Sequence, residues 1–275
     1  MKIKARIGLI GCGNMGGAIL SGLVKQGIVA KRQVFVHDVD SSKTNLIRKK
    51  LGIQSVSSSH ELVKIADIII LAIKPQDFLS LGPELKIQTG SKKILISILA
   101  GTPIQKIKSV AGTHWRVVRV MPNLGAQVGE AISAVTGNEA SSEGASAVAT
   151  TKQIFASVGK VVQVPERYFD LVTAVSGSGP AYFFLMMELL AAICEQSGLT
   201  KEVAKTLAVQ TALGSAQLAI QSPHTPAELR KMVTSKKGTT EAALAFLFQK
   251  KFDQIFKDAV RQAQKRSQQL SKSNS

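Results

Sequence analysis

The stretch RIGLIGCGNMGGAIL, residues 6–20, passes from an apolar run into a glycine-rich turn and out into apolar residues at helical spacing. Glycines at 11, 13 and 16 give G-x-G-x-x-G between a predicted strand and a predicted helix. In that setting Gly11 permits the tight turn, Gly13 lets the backbone approach a pyrophosphate, and Gly16 allows close packing of helix on strand. The helix N-terminus adds unpaired N–H groups that stabilise phosphate charge. The expectation is a dinucleotide-binding βαβ start. An ordinary glycine-rich turn would not require this strand-turn-helix setting.

The alternation continues along the chain. QVFVHD reads as a strand, SSKTNLIRKKLG as a helix closed by Gly52, and ADIIILAIKP as a fully buried strand ended by Pro75. KKILISILAG, WRVVRVMPN and KVVQVP are further strands, with a helix over residues 142–155. Strands alternating with helices, without hairpin signals, predict an α/β domain with a Rossmann-like doubly wound parallel sheet over residues 1–164. From Pro180 onward only helical patterns remain, broken at SGLT, QSPHTP and SKKGTT, so an all-α domain is expected over residues 165–267. AYFFLMMELLAAICEQ and KTLAVQTALGSAQLAI are apolar around most of their circumference and need burial on several sides. A second copy of the chain is the economical source of that burial, which predicts a homodimer. The Ser/Lys/Gln-rich residues 268–275 read as a disordered tail.

Composition narrows the function classes. The chain has 275 residues, 45% of them hydrophobic, and a formal net charge of +17. The charge is scattered: its densest groups, including Lys92 with Lys93 and Lys236 with Lys237, are not interleaved with aromatics. No nucleic-acid partner is expected. No apolar run is read as long enough to span a bilayer, and the run IGLIGCGNMG is broken by glycines, so neither membrane association nor export is expected. Two cysteines are too few for a disulfide framework or zinc site, which suits the cytoplasm. No metal site is expected.

Several loops should gather at the carboxyl edge of the sheet. Asp38, in HDVDSSK, can accept hydrogen bonds from the adenosine ribose hydroxyls, which leans toward NADH. Lys43 and Arg48 could instead attract a 2′-phosphate, and Asp38 could simply cap a helix. LAIKPQ, ILAGTP and RVMPNLG end successive strands and would form a floor for the nicotinamide. In the helical half, SGSGP at residues 176–180 and TSKKGTTEAAL at residues 234–244 each precede a helix. Hydroxyls and unpaired N–H groups there suit a carboxylate, or plain capping.

With these motifs in order, the chain resembles the pyrroline-5-carboxylate reductases, through IGLIGCGNMGGAIL, LAIKPQ, RVMPN, LVTAVSGSGPAYFF and LRKMVTSKKGTTEAAL. The resemblance implies reduction of L-1-pyrroline-5-carboxylate to L-proline, the last step of proline biosynthesis, by hydride from NADPH or NADH. It also implies a helical dimerisation domain, with dimers often assembled into decamers. Carried over, cofactor contacts fall on Gly11, Cys12, Gly13, Asn14, Met15 and Gly16, on Ala72, Ile73, Lys74 and Pro75, and on Ile98, Leu99 and Ala100. Ser59 falls on the adenosine side. Substrate contacts fall on Ser235, Gly238, Thr239 and Thr240, with Thr240 the catalytic hydroxyl near the ring nitrogen, while Ser178 shapes the pocket.

Two departures stand out. Where the family usually reads MPNTPA this chain has Leu124 and Gly125, and where it reads SPGGTT this chain has Lys236 and Lys237. The second puts in doubt any conformation that required glycine at 237. A β-hydroxyacid dehydrogenase would need a catalytic lysine in the central helix, and SGPAYFFLMMELL supplies none. A non-enzymatic nucleotide- or nucleic-acid-binding relative is the other rival, motivated by the charge and the altered loops.

Overall fold

The computed structural model describes residues 2–86 and 93–273; Lys92 and the last two residues of the expected tail lie outside them. Eight strands form one sheet: β1 (Ile7–Ile10), β2 (Val34–His37), β3 (Gln54–Ser55), β4 (Ile68–Leu71), β5 (Ile94–Ser97), β6 (Arg116–Met121), β7 (Ala131–Gly137) and β8 (Gly159–Gln163). Their order is β3-β2-β1-β4-β5-β6-β7-β8. The first six run parallel, as expected. β7 pairs antiparallel with β6 and β8 parallel with β7, so a short reversed edge was missed, along with β3.

The run Ile68-Ile69-Ile70-Leu71 shows why these strands lack alternation. Ile68 and Ile70 join one core with Ile19, Leu20 and Phe155, whereas Ile69 and Leu71 join another with Leu62, Phe78 and Ile107. Both faces are covered, so every position is apolar. The covering helices are α1 (Asn14–Lys25), α2 (Ser41–Leu51), α3 (Ser59–Ile65), α4 (Phe78–Lys86), α5 (Ile104–Ala111) and α6 (Ser142–Phe155). Gly52 ends α2 at φ 66, the left-handed cap that its position suggested.

The remaining elements are helical: α7 (Phe169–Val172), α8 (Gly179–Gln196), α9 (Lys201–Gln221), α10 (Pro226–Met232), α11 (Thr239–Gln249) and α12 (Phe252–Ser273). The chain divides into two compact units, Met1–Gly177 with Ala263–Ser275, and Ser178–Gln262. This division falls between Gly177 and Ser178, within SGSGP. Residues beyond Pro165 stay with the first unit because buried Arg119 pairs with Glu166 at 3.1 Å and lies over the Phe169 ring at 4.7 Å.

Two expectations are corrected here. The end of α12 is helix through Ser273, not a disordered tail: Ser267 Oγ donates to Asp170 Oδ1 at 2.6 Å, and Leu270 lies against Gly101. Second, SGSGP precedes α8 as expected, but the chain entering it is already helical. The backbone passes through a π turn (Thr173–Gly177) into α8, with Ser176 Oγ donating to Val172 O at 3.0 Å. As a result Glu166–Gln196 is, by length and composition alone, long and apolar enough to cross a membrane, contrary to the sequence expectation.

In the second unit, Gly179, Ala204 and Ala208 are the buried residues. Its large apolar side chains face outward: Phe183 is 67% exposed, Ile193 61% and Ile220 74%.

Candidate functional site

β1 and β4 are sequence-distant neighbours at the centre of the sheet, and Ile10, Leu71 and Ser97 stand in register across β1, β4 and β5. The loops after these strands, holding Gly11–Gly16, Ala72–Pro75 and Ile98–Ala100, are thereby set side by side at the carboxyl edge. The strand order reverses at β1 and β4, which opens the crevice where doubly wound sheets bind ligands.

The three fingerprint glycines have the three environments their roles require. A Cβ on Gly11, at φ +100, would lie 2.4 Å from Ala72 O, and one on Gly16 would lie 2.1 Å from Gly11 O. Around Gly13 a Cβ would meet nothing within 4 Å. Gly13 is also the N-cap of α1 and makes no side-chain cap hydrogen bond. The open face and the uncapped N-terminus fit a pyrophosphate. Asn14 is exposed beside Gly13, and Met15 packs against the core.

Asp38 does a task the sequence did not disclose. Its Oδ2 accepts from Cys12 N–H at 2.6 Å and its Oδ1 from Asp40 N–H at 2.9 Å, tying the end of β2 to the glycine turn. Each oxygen keeps further acceptor capacity, so a ribose contact remains open to it. Burial, then the Asp38 charge, pushes the Cys12 thiol up to about 12, against a lesser opposing effect of Lys43. Cys12 is thus a neutral packing group and no nucleophile.

The second loop is held by Ala72 N–H donating to Ile10 O at 2.8 Å, and Pro75 begins a short turn after the extended Lys74. In the third, Ile98 N–H donates to Leu71 O at 3.2 Å, Leu99 is buried, and Ala100 O accepts from Thr102 Oγ1 at 3.3 Å. Ser59 is buried at the start of α3 and donates to Glu84, which turns its hydroxyl proton inward. Glu166 Oε1 also accepts from Ile104 N–H at 2.7 Å, so the Arg119 pair anchors the loop after β5. Burial lowers the Arg119 pKa, with Glu166 opposing.

Within the second unit, residues 235–240 form a compact turn leading into α11. Gly238 N–H donates to Ser235 O at 3.0 Å, closing a four-residue turn whose third residue, Lys237, has φ 59. A Cβ on Gly238 would crowd the Ser235 hydroxyl, which would have to turn aside, and would lie 3.0 Å from Ser235 O. It caps α11 without a side-chain hydrogen bond, leaving first-turn N–H groups beside the Thr239 and Thr240 hydroxyls. Glu241 Oε2 accepts from Lys237 N–H at 2.7 Å. The local signal for this reach backward is an acid three residues after an N-cap. Ser178 is the N-cap of α8 and makes no side-chain cap bond.

Comparisons with known proteins agree with this geometry. Residues 166–270 match the family described as pyrroline-5-carboxylate reductase dimerisation, and residues 6–101 match NADP oxidoreductase coenzyme F420-dependent. A pyrroline-5-carboxylate reductase of Methanosarcina acetivorans is 40% identical, covering 97% of this chain and 98% of that one. The structure of a pyrroline-5-carboxylate reductase from Coxiella burnetii matches at TM-score 0.89 and 33% identity, over 98% of this chain and 99% of that one. That of Plasmodium falciparum pyrroline carboxylate reductase with NADP bound matches at TM-score 0.87 and 30% identity, over 98% and 100% of the two chains.

Proposed function

As this chain belongs to the pyrroline-5-carboxylate reductase family and is an oxidoreductase of the pyrroline C=N bond, we propose how its own residues divide that work. The reading is carried by two features taken one unit at a time: the open glycine turn at Gly13 in the first, and in the second the uncapped, hydroxyl-flanked helix end at Thr239 and Thr240.

The turn Gly11–Gly16 and the backbone of α1 hold the pyrophosphate, Asp38 faces the adenosine side with buried Ser59 behind it, and Ala72–Pro75 with Ile98–Ala100 support the nicotinamide. A bound reduced nicotinamide supplies the hydride. Ser235, Gly238 and Thr239 hold the substrate carboxylate with N–H and O–H donors, while Ser178 shapes the pocket. Thr240 Oγ1 orients the ring nitrogen through a hydrogen bond. A protonated cyclic imine is already electrophilic, so positioning is the main demand and no strong acid is needed. Thr240→Ala should lower kcat about 10-fold or more with the fold intact; steady-state rates equal to the parent would remove Thr240 from the mechanism.

Either nicotinamide can be accommodated, with Asp38 leaning the preference toward NADH and Lys43 offsetting it. Initial rates at varied NADH and NADPH test this, and a ratio of specificity constants near one leaves Asp38 no discriminating role. The apolar faces of α8 and α9 are covered by a second copy, giving a homodimer that can build into a decamer, rather than by lipid. Recovery only in detergent would reverse that. The cytoplasm is the proposed location, checked by cell fractionation. Nucleic acid is not a partner, and salt-dependent DNA binding would contradict this.

A further inference from the structure

Lys237 is one of two non-glycine residues at positive φ among those described, the other being Lys251. A Cβ makes that left-handed backbone unfavourable, and the third position of such a turn ordinarily selects glycine. Something must therefore hold residue 237 there. Glu241 Oε2, which accepts the Lys237 N–H at 2.7 Å, is placed to do so. A carboxylate in the first turn of α11 favours the helix dipole but repels an anionic ligand at the same helix end. Its presence beside a carboxylate-binding loop is costly to binding unless it performs a local task.

We propose that Glu241 is a positioning residue: its carboxylate latches the left-handed backbone of Lys237 and so aims the donors of Gly238, Thr239 and Thr240. This rests on the reading of residues 235–240 as the substrate loop. Releasing the latch lets residue 237 relax to negative φ, which opens the Gly238 N–H to Ser235 O bond and turns the donors away. Glycine at 237 adopts the same conformation unaided, so it makes the latch dispensable.

The test is a double-mutant cycle on the full-length enzyme with pyrroline-5-carboxylate. Glu241→Ala should raise KM about fivefold or more with kcat changed less than about twofold, and amide exchange at Lys237 should accelerate. Glu241→Gln, which keeps an acceptor but loses the charge, should leave KM within about twofold of the parent. In a Lys237→Gly background, Glu241→Ala should change KM by less than about twofold. An equal KM rise in both backgrounds, or unchanged amide exchange in Glu241→Ala, overturns the latch. Full activity in Thr240→Ala would instead remove the substrate-loop reading, while amide exchange still reports on the latch itself.

Discussion

Ile7, Leu9, Ile69, Ile70 and Leu71 in the first unit are wholly inaccessible, whereas Phe183, Ile193 and Ile220 in the second are 67%, 61% and 74% exposed. The apolar content of the two regions is spent differently. The sheet is covered on both faces by its own helices, while α8 and α9 share only glycine and alanine as buried positions. Each large apolar side chain left in water forgoes roughly 1.5–3 kcal/mol of burial. The first unit has the core of an independent domain, and the second, taken alone, does not.

That contrast can be broken by mutation. Ile70→Ala should cost about 2–5 kcal/mol, by an amount independent of protein concentration, measured by urea unfolding. Glu166→Ala should cost about 3 kcal/mol, because Arg119, with a side chain only 5% exposed, would lose its carboxylate partner; unchanged stability would show that the pair does not anchor residues beyond Pro165. Phe183→Ser should cost about 1–3 kcal/mol, but with a midpoint that falls on dilution, since the loss is from contacts with another copy. A concentration-independent loss would sink that assignment. The smallest effect concerns Cys12, whose thiol is raised from 9.0 to about 12. The folded state favours the protonated thiol, so its contribution to stability is full below pH 9.0 and is lost as pH rises toward about 12. Alkylation of Cys12 near pH 8 should therefore be slow in the native protein.

The parts of the fold legible in the sequence were those with a strong local rule. The glycine turn, the left-handed Gly52 cap and the bounds of α6 all follow from short-range chemistry. β3 escaped because it is two exposed residues, and β7 because AISAVTG, flanked by no hairpin turn signal, pairs through contacts with β6 that no local pattern encodes. The end of α12 looked disordered because its sequence is polar; its order comes from Ser267 bonding Asp170, ninety-seven residues away. SGSGP is the joint between the two units, as its small residues suggest, but the i−4 hydroxyl bond and π turn leading into it carry no local sequence signal.

The site shows the same division. Glycine positions could be assigned because each forbids or permits a Cβ, whereas the engagement of Asp38 with Cys12 N–H depends on which strand lies beside β1. Lys237 was noticed only as a departure from a glycine. Its left-handed φ and its bond to Glu241 emerge from the loop's geometry.

Sedimentation equilibrium of the full-length chain at micromolar concentration tests the completion of the helical unit by a second copy most directly. The account predicts a mass of at least two 29.3 kDa chains, shifted toward one by Phe183→Ser. A monodisperse 29.3 kDa monomer that still reduces pyrroline-5-carboxylate would contradict it.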